Sequence, residues 1–441
     1  MQLRSLAAGS ILVLLCAVIP ARAEENPWPR IRKERIEKLL PAAMERAGVD
    51  AWIVICREND NDPLAAHVGG ENASGSAAFL FFRKDGGVSS VAISPAGEAT
   101  ALKDVGLHGR VVVRERDQTV WDAVAKEIQA AAPKKIAINS GGDAVADGLS
   151  WTQRNSLEKA LGAEWTPRLV PSEDLVVEWL SVKLPEEVAI MRKAAAVTSD
   201  LQVEAYRTVV PGKTRDSDVA RYLKKRMAEL GYEDGWAPDQ NPNVNSGPDR
   251  GHSHATDKVI RPGDFIQTDF GVKVHGRWVT DIQRFAYVLG PGETAAPKAA
   301  LEKWEKGKRG SRVALAAMKP GARGYDVDRA QRDWMKEAGS LPMPWGTGHP
   351  VGYWAHDPGP ALSGAQTDAP PFPRAARRLI PGQTFAFDGF FCWELDPEAK
   401  TTKGISVEEM AVVTEKGAEY LIPPQEDLIL IPSIREIGAR N

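Results

Sequence analysis

The sequence predicts an α+β fold in which a smaller α/β domain precedes a C-terminal domain built from two similar halves. Two observations carry the internal repeat. Pro262-Gly263-Asp264-Phe265-Ile266-Gln267-Thr268-Asp269 and Pro381-Gly382-Gln383-Thr384-Phe385-Ala386-Phe387-Asp388 each place an aspartate seven positions after a proline, at the end of an apolar-rich strand. Each is followed by a second carboxylate, Asp281 in one case and Glu408 in the other. Upstream, Pro211-Gly212 leads to Asp218-Val219-Ala220-Arg221 and Met227-Ala228-Glu229-Leu230-Gly231, while Pro320-Gly321 leads to Asp326-Val327-Asp328-Arg329 and Met335-Lys336-Glu337-Ala338-Gly339. A helix–helix–hairpin unit therefore occurs twice. The third observation is the alternation of short helices and strands before residue 176, which reads as α/β.

The 441 residues allow about two to three domains. Residues 1–23 read as a signal peptide: Arg4 precedes an apolar run at 11–19, and Ala21-Arg22-Ala23 is a small-x-small cleavage site. The run is too short for about 30 Å of hydrocarbon, and Leu15 before Cys16 is too bulky for a lipoprotein site. The mature chain is thus expected to be exported, either periplasmic or secreted, with no membrane partner after cleavage. Residues 24–176 form the first expected domain and 177–441 the second. In the first, Ile31, Ile36, Leu39, Leu40 and Met44 suit one amphipathic helix over 29–48, closed by a glycine. Residues 51–56 read as a buried strand, 77–93 as a hairpin turning at Lys84-Asp85-Gly86-Gly87, and 135–139 as another short strand. Leu184-Pro185-Glu186-Glu187 opens a long helix to about 209, with proline in the first turn and acids at the positive end of its dipole. A second helix is expected over 216–230, followed by strands on either side of His275-Gly276, and the same series recurs from 297 onward.

A net charge of −3 gives no footprint for nucleic acid or an anionic membrane surface. After cleavage only Cys56 and Cys392 remain, too few for a thiolate zinc site and in different expected domains.

Asp269 and Asp281 lie symmetrically about His275, which predicts that they face each other across adjacent strands, with Cβ atoms about 4.5–5.5 Å apart. Two buried carboxylates that close repel unless one is protonated or a cation lies between them. Taken alone this could be a solvated acidic hairpin; the repeat that preserves Asp388 and Glu408 argues for a site. His349 lies between the two acid pairs in Gly346-Thr347-Gly348-His349-Pro350-Val351-Gly352, where the glycines let the backbone approach closely. One imidazole and four carboxylates suit two divalent ions, Mn²⁺ foremost and Zn²⁺ or Co²⁺ as alternatives. Such a pair serves amide hydrolysis.

With these residues in hand, the chain resembles the pita-bread metallopeptidases: aminopeptidase P, prolidase and methionine aminopeptidase, with creatinase as a metal-free cousin. The resemblance runs over nearly the whole mature chain. The first domain is similar to the creatinase/prolidase N-terminal domain, and Trp179-Leu180-Ser181-Val182-Lys183-Leu184-Pro185-Glu186-Glu187 to the usual lead-in to the catalytic domain. Asn245-Ser246-Gly247-Pro248 with His252 resembles the stretch carrying a substrate-side histidine, and His356, seven residues after His349, resembles the second; His254 is close enough to take the place of His252. Asp269-Phe270-Gly271, Asp281-Ile282-Gln283-Arg284, His349, and Gly404 to Glu408 with Val412-Val413-Thr414 resemble the metal-binding motifs. The resemblance implies that Asp269 chelates one ion, that Asp281 and Glu408 bridge both, and that His349 and Asp388 each complete one coordination sphere. It further implies that His252 and His356 steady the substrate and its oxyanion.

Three departures stand out. Asp388 replaces the usual glutamate and reaches about 1.5 Å less. Ser406 stands where prolidases carry an arginine that grips a dipeptide carboxylate, and a short hydroxyl cannot replace that clamp. The Asp269–Asp281 interval is one residue longer than the family pattern, which implies a bulge or a wider turn at His275-Gly276. Trp236, Trp278, Trp345, Trp354 and Trp393 are expected in the core or the cleft wall, one or two of them against a proline ring. The expected activity is release of the residue before proline from a peptide substrate. The rivals are a metal-free creatinase-like amidinohydrolase and a silent binding protein on the same fold. Family members often form dimers or higher assemblies, so a homodimer stays open, although no interface is readable.

Overall fold

A computed structural model describes residues 25–59, 62–73, 75–250, 254–367 and 369–433. The expected signal peptide and His252 lie outside the described residues.

The N-terminal part is a mixed six-stranded sheet, in the order Arg110–Val113, Gly87–Ser94, Ser76–Lys84, Ala51–Arg57, Ile136–Ile138, Leu169–Pro171. Its hairpin turns where expected, with Asp85 and Gly86 at φ 50° and 77°. That is the left-handed geometry a tight turn between right-twisted strands requires. The single helix expected over 29–48 is instead two, Trp28–Lys38 and Leu40–Arg46, with Pro41 in the first turn of the second. Proline has no N–H to donate and its ring clashes with the preceding turn, so the apolar periodicity continues while the helix breaks.

The expected division at 176/177 falls inside the helix Glu173–Leu180. Both parts share one apolar core, in which Trp28, Trp52 and Trp179 pack with Trp278, Tyr353 and Met410. Beyond it, Pro185–Tyr206 and Asp216–Glu229 precede the first hairpin of the C-terminal part, and Lys298–Ala317 and Gly324–Ala338 precede the second. The two halves form two four-stranded sheets. One runs Ile429–Ile431, Ile282–Val288, Phe265–Phe270, Asn243–Ser246; the other runs Gly348–Pro350, Thr384–Asp396, Thr401–Thr414, Gly417–Tyr420. Strands Ile282–Val288 and Thr401–Thr414 lie against each other. Arg284, 2% exposed, crosses between them to the Glu408 carbonyl at 3.2 Å and the Glu409 carboxylate at 3.1 Å.

The repeat is thus real at the level of elements, and the fold is the expected α+β, pita-bread arrangement. One close approach supports the second hairpin. A Cβ on Gly389, next to Asp388, would meet the Gly307 carbonyl oxygen at 2.3 Å, so helix Lys298–Ala317 touches this strand backbone to backbone.

Candidate metal centre

In the second hairpin, Asp388 pairs directly with Glu408 across the ladder. The first hairpin differs from expectation. Asp269 pairs with Gln283, and Ile282 with Phe270, so Asp281 lies two residues short of the position opposite Asp269. The reason is the turn. Its strands pair Val274 with Trp278, leaving His275, Gly276 and Arg277 in the loop, with His275 and Gly276 at φ 52° and 63°. The axis of symmetry therefore passes through Gly276 rather than His275, and the turn is one residue wider than a two-residue loop. Side chains alternate along a strand, so Asp281 and Gln283 still share a face. Asp269 and Asp281 meet on a diagonal, close enough to share a hydrogen bond.

The hairpin ends and the strand Gly348–Pro350 converge on a cavity of ≈ 810 Å³ whose wall includes Asp269, Asp281, His349, Asp388 and Glu408. Donor atoms of Asp281, His349 and Glu408 lie within 4.8 Å of one another, and Asp269 and Asp388 flank them on the same wall. His349 Nε2 stands 3.8 Å from Asp281 Oδ2 and 3.8 Å from Glu408 Oε1. Its Nδ1 is 3.2 Å from the Pro350 carbonyl, which can only accept, so that nitrogen carries the proton and Nε2 keeps a lone pair for the cavity. Glu408 Oε2 is buried with no hydrogen-bond partner among the described residues. Burial, and then the neighbouring carboxylates, push Asp281 and Glu408 well above the ordinary carboxylate range. An orphaned carboxylate oxygen amid mutually repelling acids, beside an imidazole lone pair, is a donor set that fits divalent cations.

His356 lines the same cavity, its ring centroid 4.2 Å from that of His349. His254 is exposed and reaches Gln240, a residue of the cavity wall, at 3.4 Å. Trp236, Trp345 and Trp354 line the cavity; Trp278 is a fully buried core residue and Trp393 packs on Phe265 and Phe391. The N-terminal part adds Val145 to the wall, from a short turn capped by Asp143. Cys56 and Cys392 are buried thiols that form no disulfide with each other, and burial pushes Cys392 up to about 11.

Several wall residues had no role in the sequence reading, and Gln283 is the one that bonds to the acids. Gln283 donates to Asp269 Oδ2 at 3.4 Å, hydrogen-bonds Glu408, and accepts from Ser406 at 2.8 Å and from Gln267 at 2.5 Å. The signal was available, because Gln283 lies two positions after Asp281 in a strand.

Residues 189–415, more than half of the chain, match the model of metallopeptidase family M24. The chain belongs to that family. Among M24 relatives, the probable dipeptidase PepE of Mycobacterium tuberculosis is 26% identical over 258 residues, 57% of this chain and 61% of its own length. The Xaa-Pro dipeptidase of Pyrococcus furiosus is 26% identical over 259 residues, 56% of this chain and 65% of its own. Both matches thus span less than two thirds of the relative. Xaa-Pro aminopeptidase 2 of Streptomyces coelicolor is 24% identical over 439 residues, 91% of this chain and 89% of its own. Among solved structures, dipeptidase PepE from Mycobacterium ulcerans aligns with a TM-score of 0.66 at 21% identity, covering 93% of this chain and 99% of its own. The Xaa-Pro dipeptidase from Bacillus anthracis aligns at 0.65 and 21%, covering 91% and 99%. These likenesses establish the M24 fold along both parts of the chain.

Proposed function

We propose that this cavity is the catalytic centre of a dinuclear metallopeptidase that releases the N-terminal residue before proline. The observation that carries the reading is the convergence of Asp281, His349 and Glu408 donors within 4.8 Å in a cavity also walled by Asp269 and Asp388. Asp269, Asp281, Asp388 and Glu408 would hold the ions, with His349 offering its Nε2; Mn²⁺ is the foremost candidate, ahead of Zn²⁺ and Co²⁺. Such ions supply Lewis acidity and lower the pKa of water toward neutrality.

The remaining work belongs to side chains. His356, beside His349, is placed to donate to the scissile carbonyl oxygen as negative charge develops there, an interaction strongest in the transition state. His252 would share that work, with His254 as its substitute. The tryptophan faces exclude water and offer an apolar surface to a proline ring. Ser406 bonds to Gln283 rather than presenting a cation, which favours peptides longer than two residues. The donor convergence supports this reading over a metal-free amidinohydrolase or a silent binding protein. The leader-like residues 1–23 support export of the mature chain, cleaved after Ala23.

The test is metal stoichiometry followed by a peptide screen. Mature protein is loaded with Mn²⁺, desalted and analysed for bound metal, with Asp269→Ala as control. About two ions per chain are expected, lost in the variant, together with cleavage of Ala-Pro-Ala over Ala-Ala-Ala. A chain that binds no metal would sink the reading.

A further inference from the structure

The loop that follows His349 carries Trp354, Ala355 and His356 on the cavity wall. Their two neighbours, Tyr353 and Asp357, are buried and tied elsewhere. The Tyr353 hydroxyl donates to Glu187, and Asp357 accepts from Lys183 at 2.8 Å. Glu187 in turn accepts from Arg35 at 2.6 Å, and both side chains are fully buried. Burial would raise Glu187, yet the Arg35 guanidinium, the Tyr353 hydroxyl, the Leu184 amide and Lys183 together outweigh it and hold the carboxyl below its usual value.

Arg35 belongs to the helix Trp28–Lys38 of the N-terminal domain. It also donates to the Val182 and Trp179 carbonyls at 2.8 and 2.6 Å, and its guanidinium lies 5.2 Å from the centre of the Tyr353 ring. Lys183 stands 4.9 Å from the same ring. Tyr353 is therefore bracketed by two cations, and the loop is pinned on both sides of His356.

Two buried ion pairs are a poor source of stability, because desolvation offsets most of their attraction. A satisfied buried network does fix geometry. We propose that Arg35, acting through Glu187 and Tyr353, is a positioning residue for His356, so that the N-terminal domain sets the placement of a catalytic loop in the other domain. The proposal rests on the peptidase reading of the cavity.

The test is a double-mutant cycle in the full chain. Arg35→Met is expected to keep its bound metal and to lower kcat about tenfold or more, with KM changed less than about threefold, because His356 acts on the transition state. In a His356→Ala background the same substitution is expected to change kcat less than about threefold, since the group it displaces is already gone. Arg35→Lys, which keeps the charge, should recover part of the rate. Independently of activity, amide hydrogen exchange over residues 350–359 should quicken in Arg35→Met while that of 384–396 does not. If Arg35→Met fails to fold, Tyr353→Phe removes only one hydroxyl and supports the same cycle. Equal losses in both backgrounds, or unchanged exchange at 350–359, would overturn the proposal. A parent protein that cleaves no Xaa-Pro peptide would refute the peptidase reading instead, and the exchange experiment alone would then decide the positioning role.

Discussion

The two hairpins of the C-terminal domain share a template and fill it differently. In the second, the position facing the aspartate holds Glu408 and the position two residues earlier holds Ser406. In the first, the facing position holds Gln283 and the earlier one holds Asp281. Each half therefore contributes two carboxylates, with the second acid on a different rung. The two leftover positions, Gln283 and Ser406, hydrogen-bond each other at 2.8 Å. The repeat builds the scaffold, and its local asymmetry builds the site. A strict duplication would set like against like; the stagger instead puts a neutral amide between Asp269 and Glu408, where a further carboxylate would add repulsion.

Removing a carboxylate from its rung has the largest expected effect. Glu408→Gln should cost at least one ion and lower peptidase activity by about 10³-fold or more, since a neutral amide binds a hard cation poorly; elemental analysis and steady-state kinetics read both. An active variant with two ions would mean that the directly facing pair is dispensable.

Next comes the backbone beside Asp388. Gly389→Ala would drive a Cβ to 2.3 Å from both the Gly307 oxygen and the Ser311 nitrogen. It should destabilise the fold by about 1–3 kcal/mol, measured by urea denaturation, with weakened metal binding because Asp388 must move with its neighbour. The matching position of the first hairpin is Phe270, which already carries a side chain, so a Phe270→Leu control should show a simple loss of packing.

The acid cluster also has a pH signature. Asp281 and Glu408 are raised in the folded chain, by burial and then by the adjacent carboxylates, so the native metal-free protein holds protons that the unfolded chain releases. Their contribution to metal-free stability is full below the ordinary carboxylate pKa and is lost as pH rises through the folded values. Bound metal replaces those protons, so the gap in Tm between loaded and stripped protein should widen from about pH 5 to about pH 8. A constant gap would place the protons elsewhere. The comparison is sharpened further by Gln283→Glu, which makes the first hairpin match the second at the facing rung. It should destabilise the stripped protein more than the loaded one. Ser406→Ala has the smallest expected effect, about 1–2 kcal/mol in stability from two lost hydrogen bonds, to Gln283 and from Gln267, because Gln267 still donates to Gln283 at 2.5 Å.

The division of the site between rungs also marks how far the sequence could be read. Proline-to-aspartate spacing and the recurrent helix pairs exposed the repeat, because strand and helix periods are local properties. Helix Pro185–Tyr206 and the turn at Asp85-Gly86 were legible for the same reason. Register was not. It depends on whether a loop holds two residues or three, and the left-handed pair His275-Gly276 leaves Arg277 to be placed by the strands beyond it. Gln283 carried only a positional signal, two residues after Asp281 in a strand, since an amide between acids adds nothing to the charge pattern. Arg35 was hidden by distance: its partner Glu187 lies 152 residues away, and nothing local in either helix announces that the two are joined.

Val145 gives the cavity one wall from outside the domain that carries its donors. It sits in a three-residue turn whose cap, Asp143, accepts from the Val145 amide at 3.1 Å. The turn carries none of the five donor residues, so a change of the Val145 side chain alters the cavity wall without altering the donor set. The shape of the cavity wall and the donor set within it are thus encoded in separate stretches of the chain.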